Sequence, residues 1–98
     1  MKGTTPVHLE KEKVMNTALR QEDIYRALEN AGAAHHAYER DYLNGVRDPA
    51  WAGWYAAYLL GSLGDIAPPG ELTRWLESAE DEEDWLAAAA RMILSRLN

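Results

Sequence analysis

Asp48-Pro49-Ala50-Trp51-Ala52-Gly53-Trp54-Tyr55-Ala56-Ala57-Tyr58-Leu59-Leu60-Gly61-Ser62-Leu63-Gly64-Asp65 is the stretch whose reading decides the fold, and no charged residue lies between its two aspartates. Asp48 suits an N-cap and Pro49 the first helical turn. A helix that is apolar on every side must be buried or covered by a partner. This one is too short, and too rich in Gly, Trp and Tyr, to make a good membrane span. It reads as the central helix, about residues 49–64, of a small all-α domain: a bundle of three to five helices.

Upstream of it, Ile24, Leu28, Ala31, His35, Tyr38 and Tyr42 recur at three- and four-residue steps and share one face. Ala27 and Ala34 widen that stripe, while Arg26, Glu29, His36 and Arg40 fall opposite. The spacing predicts a helix over about 17–44, with Asn16 and Thr17 as possible caps. Gly32 interrupts the pattern, but the phase is the same on both sides, which favours one helix over a break at Asn30-Ala31-Gly32. Leu43-Asn44-Gly45 ends it, with Gly45 in the left-handed position past the helix terminus. A connection as short as Val46-Arg47 folds this helix back on the central one as a hairpin. In the central helix Trp51, Trp54, Tyr55, Tyr58 and Ser62 share a face flanked by Leu59 and Leu63. Gly53, Ala57 and Gly61 form a smooth strip, which predicts close approach either by the alanines of the first helix or by a second copy of the chain.

Downstream, Gly64 to Gly70 makes a loop containing Pro68-Pro69. Glu71 to Glu77 reads as a short helix with Leu72, Trp75, Leu76 and Ala79 on one side. Ser78 is placed to cap a C-terminal helix whose first turn would hold the acidic run Glu80 to Asp84. Trp85, Ala89, Met92, Ile93 and Leu97 would face inward. Residues 1–13 are polar and aperiodic and are expected to form a flexible arm, leaving 14–98 as a single helical domain.

Composition narrows the function. The 98 residues carry a formal net charge of −6, which argues against direct contact with nucleic-acid phosphates or anionic lipid. With no cysteine there is no disulfide and no thiol chemistry, which suits a reducing compartment. The N-terminal residues show no signal-peptide or lipidation pattern, so a cytoplasmic location is expected. Four Trp, five Tyr and no Phe give every large ring a polar tip that needs a partner when buried. Such rings suit a pocket or an interface.

One candidate site emerges. His35 and Glu39 are one turn apart, with Tyr38 and Tyr42 beside them, and the facing helix brings Trp51, Trp54, Tyr55 and Tyr58. These eight residues would surround a small-ligand pocket with His35 as base or ligand contact and Glu39 orienting it. The plainer alternative is a core histidine bonded to Glu39 or to a tyrosine hydroxyl. No credible nucleophile accompanies them, so catalytic residues stay unassigned. No metal or cofactor is expected: His36 points about 100° away from His35, and the central helix supplies no carboxylate within its span. The acidic run lacks the alternating ligands and turn glycine of a calcium loop, and Gly61-Ser62-Leu63-Gly64 lacks the lysine and preceding strand of a phosphate loop.

Ala34-His35-His36-Ala37-Tyr38-Glu39, Asn44-Gly45-Val46-Arg47-Asp48 and Trp51 to Leu59 together resemble a group of small uncharacterised bacterial all-helical proteins sharing H-x-x-Y-E, a short turn and D-x-x-W-x-x-W-Y-A-x-Y. The resemblance covers residues 34–59 and implies a bacterial cytoplasm and a helical fold, without a mechanism. The expected function is a binding or protein-interaction module that forms a homodimer or docks on a protein partner, because so few short helices can hardly cover a helix apolar all round. The alternative is a small-molecule-binding protein or enzyme using the pocket. A third reading is an acidic inhibitor of a basic protein acting through Glu77 to Asp84.

Overall fold

The computed structural model describes residues 19–97, and within them the chain is all helical, with no strand. The expected arm at 1–13 and the caps Asn16 and Thr17 lie outside the described residues. Four helices follow one another: α1 Gln21–Tyr42, α2 Trp51–Leu63, α3 Pro69–Ser78 and α4 Trp85–Leu97. α1 packs on α2 and α4, and α3 packs on the same two, so each helix touches two neighbours in a closed ring. None of these helices is long and apolar enough to cross a membrane.

α1 runs unbroken through Gly32, but it starts at Gln21 rather than near residue 17. Arg20 is extended (φ −116°, ψ 163°) and its backbone N–H donates to the Asp23 carboxylate at 2.9 Å, so the first turn is closed from inside the helix. Ile24, Ala27, Leu28, Ala31 and His35 are buried, as their spacing predicts. The stripe does not stay inside to its end: Tyr42 is 77% exposed, because the last turn of α1 extends past the partner helices. Asn44 (φ 55°) and Gly45 (φ 80°) both take the left-handed conformation, and the Gly45 N–H returns to the Glu39 carbonyl at 2.9 Å. This reverses the chain.

α2 differs from expectation in three ways. It begins at Trp51, not at Pro49, since Asp48 spends one carboxylate oxygen on the Ala50 N–H (2.9 Å) in a turn ahead of the helix. Its buried face is Ala52, Tyr55, Ala56 and Leu59, and Ser62 is exposed. Finally, the strip Gly53, Ala57 and Gly61 faces outward, and no α1 alanine covers it. A Cβ built on Gly53 or Gly61 would meet nothing within 4 Å. The close approach in the hairpin occurs at Gly32 instead, where a Cβ would come 3.1 Å from the Tyr55 hydroxyl. Gly32 is therefore the space into which Tyr55 fits.

α3 begins at Pro69, which needs no N–H partner there, and buries Leu72 and Leu76, with Ala79 just beyond its end. Ser78 does not cap the next helix. Its hydroxyl donates to the Trp75 carbonyl at 2.7 Å, and the acidic run spans turns before α4 rather than its first turn. Asp84 supplies the cap: its carbonyl accepts from Ala88 and its carboxylate from Ala87. α4 buries Ala88, Ala89, Ala90 and Ile93, and leaves Trp85, Met92 and Leu97 partly covered. Alanines on α4 let it lie close to α1 while the rings at its start reach across to α2.

Candidate functional site

The turn between α1 and α2 brings Asp48 against His35, and this pair anchors the site. His35 Nε2 and Asp48 Oδ2 are 2.9 Å apart, and the two residues are the only buried polar ones among the described residues (5% and 9% exposed). The hydrogen bond to His35, and next the one from the Ala50 N–H, hold the Asp48 carboxyl below its ordinary value of 3.8, against a smaller upward push from burial. An ionised Asp48 only accepts, so His35 Nε2–H donates to it. Nδ1 lies 3.7 Å from Glu39 Oε2, too far for a hydrogen bond. That same Oε2 accepts the Asp48 backbone N–H at 2.8 Å, so Glu39 ties the turn to α1.

Beside this pair opens a cleft of about 240 Å³ lined by His35, Glu39, Arg47, Trp51, Tyr55, Glu80 and Trp85. Three helices and two turns contribute. Trp51, Tyr55 and Trp85 meet edge-to-face or tilted, with all three centroid separations between 5.4 and 5.5 Å. The starts of α2 and α4 therefore touch through rings although their backbones stay apart. Tyr55 is held above its ordinary 10.0 by burial and, second, by the Glu39 charge, so its hydroxyl stays protonated at neutral pH. Arg47 and Glu80 form an exposed ion pair of 2.8 Å at the rim.

Of the residues expected from the sequence, His35, Glu39, Trp51 and Tyr55 line the cleft. The other four sit behind or beyond it. Trp54 meets His35 edge-on at 4.9 Å from the opposite side, and Tyr38 and Tyr58 pack on Trp54 at 5.8 and 5.9 Å. Tyr42 touches only Tyr38 among these rings, at 5.7 Å, and is otherwise open to solvent. Asp48, Arg47, Glu80 and Trp85 were not expected as site residues. A D-P turn just after a histidine-bearing helix could have flagged Asp48; nothing local flags the other three.

The cleft lining contains no Ser, Thr, Cys or Lys. Its chemistry is to hold and orient a group: an imidazole fixed by a carboxylate, a second carboxylate and a wall of rings. The two carboxylates approach opposite sides of the His35 ring, and no group of three or more metal-ligating side chains occurs among the described residues. No protein-family model matches the chain, and no curated protein or solved structure matches it either.

Proposed function

We propose that this chain is a small binding module that docks on a partner molecule through the cleft at the turn end of the α1–α2 hairpin. The observation that carries the reading is a buried, oriented His35–Asp48 pair beside a cleft walled by Trp51, Tyr55 and Trp85. A pair buried only for packing needs no opening next to it. An organic ligand or side chain in such a cleft finds apolar ring surface together with a few fixed polar groups, the usual make-up of a recognition pocket. A cytoplasmic setting accords with the absence of cysteine. The test is to label the full chain with nitrogen-15 and titrate it with a panel of cationic, anionic and neutral small molecules. Shifts confined to the Trp51 and Trp85 indoles and the Glu39 amide are expected. Shifts scattered over the surface, or no shifts, refute the docking role.

Self-association is the second reading, favoured by the outward strip of Gly53, Ala57 and Gly61 next to the partly buried Trp54 and Tyr58. Small residues in a row let a second helix come close. Sedimentation of the native chain beside Ala57→Arg tests it: a dimer that Ala57→Arg converts to monomer is expected, and a monomer for both discards it.

A further inference from the structure

Charge and wall chemistry together narrow what the cleft takes. Of its lining residues, Glu39 and Glu80 are acidic and Arg47 is basic, and Arg47 is already paired to Glu80. The Asp48 carboxylate adds a further negative charge just behind His35. An anion entering here meets uncompensated repulsion. A purely apolar group would strip water from Glu39 and give nothing in return. A cation suits both features: the carboxylates attract it, and Trp51, Tyr55 and Trp85 make the wall aromatic, a surface that attracts cations where a ring face is presented.

The hydrogen-bond geometry separates one cation from another. A guanidinium is best held by a carboxylate that offers both oxygens in its plane. Glu39 cannot offer both freely, because its Oε2 is occupied by the Asp48 N–H. An ammonium needs separate acceptors arranged around a point. Glu39, His35 and Tyr55 come from two facing helices and line the same opening. Glu39 Oε1, which the Asp48 N–H does not use, remains to accept a single N–H of such a group. We infer that the cleft binds an alkylammonium group, presented by a lysine side chain of a partner or by a free small amine; this rests on the docking role proposed above.

The experiment titrates the full chain with n-butylammonium, n-butylguanidinium, butyrate and 1-butanol, reading the Trp51 and Trp85 indole resonances. A short lysine-containing peptide joins the series. Butylammonium is expected to bind most tightly of the four small probes. Glu39→Gln, which keeps an acceptor for the Asp48 N–H, should weaken it about tenfold. Trp85→Leu should weaken it roughly threefold. Glu80→Gln alters only an exposed side chain and leaves Arg47 unpaired at the rim, so it should weaken butylammonium even if Trp85→Leu folds poorly, and tighter binding in this variant overturns the cation assignment. Glu29→Gln, on the outer face of α1, should change nothing. A lysine peptide tighter than butylammonium assigns the group to a protein partner, and equal affinity assigns it to a free amine; either supports the inference. Butyrate, butanol or butylguanidinium binding as tightly as butylammonium overturns the ammonium assignment and leaves the docking role standing. Unchanged butylammonium affinity in Glu39→Gln also overturns it. Silence from every probe overturns both.

Discussion

Replacing Gly32 by Ala puts the packing of the hairpin to a quantitative test. In a solvent-facing helix interior this change stabilises by about 1 kcal/mol, because alanine loses less backbone freedom on folding. Gly53 in α2 is such a position: it is exposed and a Cβ there would meet nothing within 4 Å. At Gly32 the new Cβ would lie 3.1 Å from the Tyr55 hydroxyl, so one of the two must move by a few tenths of an ångström. Tyr55 has little freedom to do so. It is 9% exposed and its ring is boxed by Trp51, Trp85 and His35 at 5.4 to 5.5 Å. Overpacking of this kind costs about 1–3 kcal/mol. The sum runs from neutral to a loss of roughly 2 kcal/mol, where the exposed control gains about 1. In a Tyr55→Phe background the obstructing oxygen is gone, and Gly32→Ala should recover its gain of about 1 kcal/mol. Urea unfolding followed by circular dichroism on the four members of this cycle, with Gly53→Ala alongside, measures the coupling. If Gly32→Ala stabilises the native chain as much as Gly53→Ala does, Tyr55 is not seated against Gly32 and the description of the hairpin is wrong.

Other consequences follow from the same contacts. Asp48 has a folded-state pKa below its unfolded value near 3.8, so the stability it contributes is present above that value and is lost as pH falls through the folded one. Asp48→Asn should therefore flatten the acid limb of a stability profile measured by urea unfolding from pH 6 downward; an unaltered limb counts against the pairing with His35. Tyr55 shifts the opposite way, so its contribution is present below 10.0 and fades as pH rises through its raised folded value. Tyr55→Phe should lose less stability than the native chain between neutral and strongly alkaline pH. Asp84→Ala should cost about 1 kcal/mol through the lost cap of α4, whereas the exposed Ser78→Ala should stay within about 0.5 kcal/mol; the reverse order in thermal melts would restore Ser78 as the cap. The Arg47–Glu80 pair, both of whose side chains are largely exposed, should show a double-mutant coupling under about 1 kcal/mol that vanishes in high salt.

The features legible in the sequence are those written at helical spacing within one segment. Ile24, Leu28, Ala31 and His35 mark the inner face of α1, and Leu72 and Leu76 that of α3, because a 3.6-residue period needs no knowledge of neighbours. The length of the loops sufficed to make α1 and α2 a hairpin. What periodicity hides is how far each helix overlaps the next. Tyr42 is on the apolar stripe yet exposed, since burial depends on where α2 stops covering α1. The strip of Gly53, Ala57 and Gly61 suits close approach by the α1 alanines or by a second copy alike, and only the rotation of α2, with Ala52, Tyr55, Ala56 and Leu59 turned inward, takes it away from α1. The acidic run read as a first turn because negative charge suits a helix start; the backbone reaches helical geometry only at Trp85, after Asp84 has capped it.

The site was half legible for the same reason. His35, Glu39, Trp51 and Tyr55 lie on two facing stripes, while Arg47, Glu80 and Trp85 reach the cleft, and Asp48 reaches His35 behind it, from two turns and the start of a more distant helix. Their placement bears on what the polar cluster is for. Among the described residues, only Ile24, Leu28, Leu59, Leu72, Leu76 and Ile93 are large side chains wholly shut away from water, a small core for their four helices. A buried histidine–carboxylate pair is a poor substitute for packed hydrocarbon, since the gain from pairing is offset by the loss of hydration. If stability alone governed these positions, an apolar pair of similar volume at 35 and 48 would serve at least as well. A double replacement His35→Leu with Asp48→Ala should then fold with a stability near that of the native chain while abolishing ligand-induced shifts at Trp51 and Trp85. Joint collapse of fold and binding would instead make the pair a structural fastening of the turn.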